Sequence, residues 1–462
     1  MIKAIYQFFS TEKNKKLLFW AWWLILLIIL ILPNYSYYAD SDEGVVLAGA
    51  WNLYNGQKVF TDFFSFIPPG SYYFVLMLWK LFSPDYLITK LFSLLLIYLA
   101  AIGVYKIAAN IERKYALVAP TLFILSSFSW QAINHNTYNI FFIIWSAYFF
   151  IKAFSNNQII NYAISGLFLG TATLFLQQKS LLVIFLFAGW LAISAVINQT
   201  KKSWLNFFAW LLSALSTISL LLLFAPAKIL YNDLFIFPLH NYPASNRLPF
   251  TLLAMITALV IIVFFLLIKK QGTKKLFFLF LLQLTLLIST WPRPDWLHIS
   301  IVLFPTLILA PFIFQSQRKI LFDLPKISFL SISGVIFFTA LASLVIFPPF
   351  HFFNKSELVK YINDNCQDSK YLYAGPFLPG LYPATKKTPA TPFLILITGQ
   401  QTEEQFALAA SYLKNNRPEC AVLSYDMVKK FKHNLDNPVD NYLFTNYQVV
   451  KTTNDYIILK IK

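Results

Sequence analysis

The chain has 462 residues, of which 58% are hydrophobic and only 12% charged, and its mean hydropathy is +0.60. Soluble globular proteins carry about 25% charged residues, so this composition excludes an ordinary soluble protein and indicates a polytopic membrane protein. The formal charge of +17 would suit a nucleic-acid partner, but the positions of the basic residues favour membrane lipid as the partner and no nucleic acid.

A transmembrane helix needs about 20 predominantly apolar residues, and eleven segments approach this length. The first of them lacks the small-residue cleavage pattern of a signal peptide, so we expect a retained anchor. The fold class predicted for residues 1–350 is therefore an all-α polytopic membrane domain. The segments lie at 17–36, 86–108, 116–133, 138–154, 159–177, 180–197, 204–224, 249–268, 276–290, 297–314 and 327–347.

The basic residues predict the orientation of these segments. Cytoplasmic loops carry an excess of Lys and Arg, and the sequence fits that rule when the N-terminus is cytoplasmic and the C-terminal region is extracytoplasmic. We accordingly expect a multi-pass protein of the cell inner (plasma) membrane. The inner residues are then Lys3, Lys13, Lys15, Lys16, Arg113, Lys114, Lys201, Lys202, Lys269, Lys270, Lys274, Lys275, Arg318 and Lys319, against Lys58, Lys80, Lys179, Lys228, Arg247 and Arg293 outside.

The first outer loop, residues 36–85, is longer than a turn between two spans requires. Asp40 followed by Glu43 is typical of a helix N-terminus, and a helix is predicted from Val45 to Tyr54. A second helix is expected after the break at 68–70. Aromatic and apolar residues in both indicate helices that lie in the membrane interface.

Three carboxylates of this loop are candidate catalytic groups: Asp42, Glu43 and Asp62. A carboxylate at the outer end of a membrane cavity can act as general base toward an acceptor hydroxyl. The alternative for Asp42 and Glu43 is that they favour the positive end of a helix dipole. Asp62 stands among aromatic residues, either exposed at a loop tip or directed into a polar site.

Later outer loops supply candidate cations for a phosphate group. Arg293 and His298 follow Pro292, and an Arg side chain can bind phosphate oxygens in a bidentate manner. Lys179 stands near the outer end of a span, and Arg247 has a weaker claim. The alternatives are a salt bridge at the rim for Arg293 and a headgroup contact for Lys179. The sequence contains no nucleotide-binding GxxxxGKS loop, no HExxH motif and no zinc-ligand spacing.

Polar residues return after residue 350, and residues 351–462 are predicted to form a small extracytoplasmic α/β domain. Both cysteines of the chain, Cys366 and Cys420, lie in this tail; an exported tail permits a disulfide between them, although the sequence does not require one. The predicted helices are 356–365 and 402–415, and the predicted strands are 371–374, 393–398, 420–424, 447–450 and 456–461.

The first outer loop resembles that of bacterial GT-C glycosyltransferases, the integral-membrane enzymes related to protein O-mannosyltransferases and lipid A aminoarabinose transferases. The residues that carry the resemblance are Asp42-Glu43-Gly44, Ala50-Trp51-Asn52-Leu53, Gly56, Asp62-Phe63-Phe64, Pro68-Pro69-Gly70 and Tyr72-Tyr73, with weaker support from Phe237-Pro238 and the 292–298 stretch. The resemblance implies a sugar donor linked to polyprenyl phosphate, inverting transfer to an acceptor hydroxyl on the outer face, and a first-loop carboxylate as base, at Asp42 or Glu43. Metal dependence varies among such enzymes, so no metal ligand is assigned and a divalent metal stays an open alternative.

Other functions remain open on the sequence alone. A flippase or other transporter of lipid-linked oligosaccharide tends to have repeated halves with broken helices near the midplane, and no such repeat is evident here. An O-antigen-type ligase or polymerase would share the donor and the membrane setting, and a non-catalytic scaffold could present the tail. The acceptor, whether glycan, lipid or protein, is not specified by the sequence.

Overall fold

The computed structural model describes residues 12–34, 42–241, 248–271, 273–315, 324–346, 355–367, 369–453 and 455–462. Asp40, the expected helix cap, and Arg247, a candidate phosphate ligand, lie outside the described residues, as do Lys3, Arg318 and Lys319 of the predicted inner loops.

Helices dominate the part of the structure that precedes the tail, and each of the eleven predicted segments contains a helix. The helices are α1 (Glu12–Asn34), α2 (Asp42–Tyr54), α3 (Gly70–Leu81), α4 (Tyr86–Ile111), α5 (Val118–Ser126), α6 (His135–Asn156), α7 (Ile159–Thr173), α8 (Gln177–Asn198), α9 (Lys201–Ile218), α10 (Ala227–Tyr231), α11 (Phe237–Asn241), α12 (Phe250–Gln271), α13 (Lys274–Ile288), α14 (Trp296–Val302), α15 (Phe304–Leu307), α16 (Ala310–Gln315) and α17 (Leu324–Ile346).

Seven of the helices in the described residues are long and apolar enough to cross a membrane: α1, α4, α6, α8, α9, α12 and α17. An eighth candidate span is broken, because Trp296–Val302 and Phe304–Ile313 meet at 45°. The other three predicted segments contain shorter helices, α5, α7 and α13, of 9, 15 and 15 residues. The chain is thus a multi-pass membrane protein in which some of the predicted segments contain short or broken helices.

The two predicted helices of the first outer loop are present as α2 and α3, and α2 is largely enclosed by protein. Eleven of its 13 residues are buried, because both the membrane helices and the tail pack around it. The apolar residues of α2 thus contact protein on more than one side. Gly56 follows the helix with φ +85°, as a chain reversal requires.

The tail consists of helices around a five-stranded sheet. The helices are α18 (Lys355–Asn365), α19 (Leu381–Thr385), α20 (Glu403–Asn416) and α21 (Pro438–Asn446), and the strands are β1 (Tyr371–Gly375), β2 (Thr388–Pro389), β3 (Cys420–Leu423), β4 (Tyr447–Thr452) and β5 (Ile457–Ile461). The strand order is β2-β1-β3-β5-β4, with β1 parallel to β2 and β3, and β5 antiparallel to β3 and β4. Cys366 and Cys420 form a disulfide.

The prediction of a strand at 393–398 is wrong, and β2 was not predicted. The amide of Leu396 donates to the carbonyl of Pro376, and the amide of Ile397 donates to the Gln401 side chain. These donors therefore have partners outside a strand ladder, so the apolar run is a buried loop.

The tail contacts the first outer loop directly. Trp51 of α2 donates its indole N–H to the carbonyl of Lys387 at 2.9 Å, and the amide of Phe64 donates to Pro392 at 2.9 Å. Val46 and Trp51 also share a hydrophobic cluster with Leu358 of the tail. The first outer loop is thereby held between the membrane helices and the tail, where a cavity remains.

Candidate active site

A cavity of about 220 Å³ lies where α2, the starts of α6 and α8, the 289–298 segment and the tail meet. It is lined by charged, amide and aromatic side chains from all of these elements. The polar and charged residues are Asp42, Gln131, His135, Asn136, Gln177, Gln178, Lys179, Ser289, Thr290, Arg293, Asp295, His298, Gln400 and Lys430, and the aromatic ones are Phe66, Trp291, Phe377 and Phe431.

Asp42, the first residue of α2, is positioned by an amide from a neighbouring segment. Asn134 is the N-cap of α6, because its side-chain oxygen accepts the backbone N–H of Asn136. That bond fixes which end of the amide is free, and Nδ2 of Asn134 donates to Oδ2 of Asp42 at 3.0 Å. The cap of α6 therefore also orients the carboxylate toward the cavity wall.

The same amide chain continues to Lys179. Nδ2 of Asn136 donates to Oδ1 of Asn134 at 3.3 Å, and Nζ of Lys179 donates to Oδ1 of Asn136 at 3.0 Å. Lys179 is 1% exposed and has no carboxylate within ion-pair distance among the described residues. A candidate base and a buried cation are thus linked through two asparagines on one wall of the cavity.

Arg293 contacts the tail at the cavity. The Arg293 guanidinium lies 5.4 Å from the centre of the Phe431 ring, and Nζ of Lys430 lies 5.0 Å from the same centre. Cations placed at an aromatic ring are attracted by its quadrupole. This contact brings a residue of the membrane part against the 3₁₀ segment Asp426–Phe431 of the tail.

His298 is held by Asp295 at the start of α14. Asp295 is the N-cap of that helix and accepts the backbone N–H of His298, and its Oδ1 also lies 2.8 Å from Nδ1 of His298. Burial opposes ionisation of Asp295, but the bonds from His298 and the charge of Arg293 outweigh it and hold the pKa of Asp295 below its ordinary value. The carboxylate therefore fixes Nδ1 of His298 as the protonated nitrogen.

Glu43 is a neighbour of Asp42 in sequence but does not line the cavity. It is fully buried, its Oε1 lies 2.6 Å from Nζ of Lys90, and the same oxygen accepts the amide of Ile133 at 3.2 Å. Ile133 immediately precedes Asn134, so Glu43 orders the segment that orients Asp42. This arrangement fits a positioning residue and not a general base.

Asp62 does not line the cavity either. The residue is exposed, and its Oδ2 accepts the backbone N–H of Lys58 at 2.7 Å. The carboxylate thus closes its own turn, which is the loop-tip alternative considered from the sequence. Of the candidates named from the sequence, the structure brings together Asp42, Lys179, Arg293 and His298.

Sequence reasoning did not identify the residues that the tail contributes. Gln400, Lys430 and Phe431 are separated from the outer loops by the last membrane helix, and no motif marks them. Asn134 and Asn136 carried a detectable signal, because an Asn before an apolar helical run is a typical N-cap. Among the described residues, no group of three or more His, Cys, Asp or Glu residues is placed to hold a metal ion.

Residues 67–232 match the protein family described as dolichyl-phosphate-mannose-protein mannosyltransferase. No curated protein sequence matches the chain significantly. The crystal structure of ArnT from Cupriavidus metallidurans bound to undecaprenyl phosphate is similar, with a TM-score of 0.60 at 11% identity over 97% of this chain and 98% of that one. The apo state of that protein gives 0.59 at 12% identity, again over 97% and 98%.

A second solved structure has the same architecture. The oligosaccharyltransferase of Archaeoglobus fulgidus, tethered with an acceptor peptide containing the NVT sequon, gives a TM-score of 0.56 at 10% identity over 99% of this chain and 75% of that one. At such low identity these likenesses concern the fold, and the family match adds the sequence over residues 67–232. The resemblance to the GT-C glycosyltransferase superfamily is thereby confirmed, and the chain is a polytopic membrane protein with the GT-C fold.

Proposed function

We propose that the protein transfers a sugar from a polyprenyl-phosphate-linked donor to an acceptor hydroxyl, with inversion and with Asp42 as general base. The observation that carries the proposal is that one cavity brings Asp42 together with Arg293 and Lys179. A carboxylate and two fixed cations are what attack by a hydroxyl and departure of a phosphate require. The family match and the ArnT fold support the same chemistry.

The proposed reaction is a single displacement. Asp42 takes the proton from the acceptor hydroxyl, the oxygen bonds to the anomeric carbon, and the bond from that carbon to the phosphate oxygen breaks. The polyprenyl phosphate leaves with the bonding electrons. Because phosphate is a good leaving group, no acid is needed to protonate it, unlike in glycoside hydrolysis.

Arg293 and Lys179 stabilise the departing phosphate in this proposal. Negative charge gathers on the phosphate as the bond breaks, and fixed donors at that position lower the barrier without reorganising. Arg293 offers a planar fork, and Lys179 offers a buried ammonium held by Asn136. His298, whose Nδ1 donates to Asp295, is a further donor-phosphate ligand in this proposal as an imidazolium, in which Nε2 also donates.

The placement in the cell follows from the charge distribution. We propose that the cavity opens on the extracytoplasmic face of the inner membrane, with residues 1–350 as the transmembrane catalytic domain and residues 351–462 as an exported domain. The excess of Lys and Arg in the opposite loops supports this orientation.

The test is transfer by purified full-length protein from a panel of labelled polyprenyl-phosphate sugars, with Asp42→Asn as the variant. The Asn side chain keeps the volume and can still accept the bond from Asn134, so affinity for undecaprenyl phosphate should be retained. Because an amide cannot take up the proton of the acceptor hydroxyl, we expect turnover to fall at least about 100-fold. Turnover of Asp42→Asn at the wild-type rate would remove Asp42 as base. Absence of transfer by the wild type from every donor of the panel would contradict the proposed reaction.

A further inference from the structure

Lys430 lines the cavity but has no role in the reaction proposed above. It stands with Phe431 at the end of the 3₁₀ segment Asp426–Phe431, and both residues line the cavity. The segment belongs to the tail, whereas Lys179 and Arg293 come from the membrane part. Lys430 is therefore a cation that the tail contributes to the cavity.

The tail segment is held firmly against the cavity. Val428 is 1% exposed and packs in one cluster with Val45 of α2 and Phe377. Such burial fixes the backbone two residues before Lys430, so the position of Lys430 does not depend on a mobile loop.

A buried polar network fixes the chain just after the segment. Nδ1 of His433 accepts the backbone N–H of Thr398 at 3.1 Å, so its Nε2 carries the proton and donates to Oδ2 of Asp440 at 3.1 Å. The His433 and Asp440 side chains are only 2% and 4% exposed. The network connects the segment that carries Lys430 to the loop that carries Gln400, another residue of the cavity.

The charge of Lys430 is not neutralised by a partner of its own. Among the described residues it forms no ion pair, whereas the adjacent Lys429 pairs with Asp426. Partial burial and then the positive charge of Arg293 lower the pKa of Lys430, and the carboxylates of Asp42 and Asp295 oppose that decrease. Lys430 thus shares an electrostatic environment with the candidate base and the candidate phosphate ligand.

We infer that Lys430 binds the phosphate of the lipid-linked donor from the tail, together with Arg293, so that the tail completes the donor site. The inference rests on the proposed function. It is supported by the Phe431 ring, which Arg293 and Lys430 both contact, because an anion held by one of these cations lies within reach of the other. A phosphate there would offset the repulsion between two like charges.

The test measures equilibrium binding of radiolabelled undecaprenyl phosphate to the full-length protein in phosphatidylcholine nanodiscs. A charge-assisted hydrogen bond contributes enough that Lys430→Gln should weaken binding about tenfold or more. Lys430→Arg keeps the charge and should restore most of the affinity. Lys429→Gln removes the same charge one residue away and should leave affinity within about twofold, because Lys429 does not line the cavity.

A second arm distinguishes the donor phosphate from a bilayer headgroup. With phosphatidylglycerol added to the nanodisc, undecaprenyl phosphate should still bind Lys430-containing protein more tightly than the Lys430→Gln variant. Loss of that difference would assign Lys430 to lipid headgroups and overturn the inference. If Lys430→Gln binds undecaprenyl phosphate as tightly as the wild type does, the inference about Lys430 alone is overturned. If the wild type itself does not bind undecaprenyl phosphate, the proposed function is overturned as well.

Discussion

The ammonium of Lys90 lies 2.6 Å from Oε1 of Glu43, and both side chains are fully buried. Lys90 belongs to α4 and Glu43 to α2, and the same carboxylate oxygen accepts the amide of Ile133 in the segment before α6. One ion pair therefore joins three segments next to the candidate base Asp42.

The first prediction concerns this pair. Lys90→Met leaves the Glu43 carboxylate buried without its cation, which costs about 3–5 kcal/mol when one partner of a buried pair is removed. We expect the unfolding temperature in detergent to fall strongly for Lys90→Met and for Glu43→Gln. The double variant should recover part of the loss, since no lone charge then stays buried.

Lys201→Met is the matched control, because Lys201 is an exposed lysine at the start of another membrane helix. Its unfolding temperature should stay near that of the wild type. An equal loss in the control, or a double variant less stable than the sum of the single changes, would contradict a specific role for the pair.

The second prediction separates Asp62 from Asp42. Asp62→Asn removes a charge from an exposed turn, and the Asn side chain can still accept the Lys58 amide, so turnover should stay within about twofold of wild type. The measurement is the transfer assay under the conditions used for Asp42→Asn. A loss for Asp62→Asn as large as that for Asp42→Asn would contradict the role of Asp62 as a turn residue and place it at the reacting atoms.

Local patterns were sufficient for much of the fold and for one wall of the site. The period and length of apolar runs placed the membrane helices, and the positions of Asp42, Lys179, Arg293 and His298 at the ends of such runs predicted that they would lie near one face. Glu43 could not be distinguished from Asp42 in this way. Its ion pair with Lys90 depends on the packing of α2 against α4, which no local pattern specifies.

The contribution of the tail was beyond sequence reasoning for a similar reason. Lys430 is one of many lysines in a polar region, and only the docking of the tail on the first outer loop brings it to Arg293. The 393–398 run was interpreted as a strand because its residues are apolar, whereas their burial results from contacts with the first outer loop and the rest of the tail and not from strand pairing. Long-range packing decides both cases.

The third prediction concerns pH and Asp233, in the π-helical segment Asn232–Ile236. Burial raises the pKa of Asp233 from 3.8 to about 6. Below pH 3.8 the carboxyl is protonated in both the folded and the unfolded protein and has no effect on stability. As pH rises from there to about 6, the unfolded chain releases the proton first, so stability falls, and the full penalty is present above pH 6.

Asp233→Asn should therefore raise the unfolding temperature at pH 7.5 and leave it unchanged at pH 3.5. Because Asp233 is only partly buried, solvent screening reduces the expected gain to about 1 kcal/mol. Asp364→Asn, in an exposed part of α18, is the control and should show no gain that depends on pH. A gain for Asp233→Asn of the same size at both pH values would show that charge is not its cause.

The last prediction concerns the disulfide between Cys366 and Cys420, which closes a loop with a sequence separation of 54. On the chain-entropy estimate such a crosslink stabilises by about 4 kcal/mol, so replacing both cysteines by Ala should lower the unfolding temperature of the tail. Both sulfurs are buried in the fold, at 2% exposure for each residue.

The disulfide also reports the side of the membrane on which the tail lies. Such a pair forms and persists in an extracytoplasmic compartment and not in a reducing cytoplasm. Cells are quenched with acid, and the protein is denatured in the presence of a maleimide reagent that labels free thiols. The chains should take up no label, whereas reduction before labelling should allow both of the chain's two cysteines to be labelled. Two labels without reduction would place the tail in the cytoplasm, and with it the cavity that Lys430 and Arg293 share.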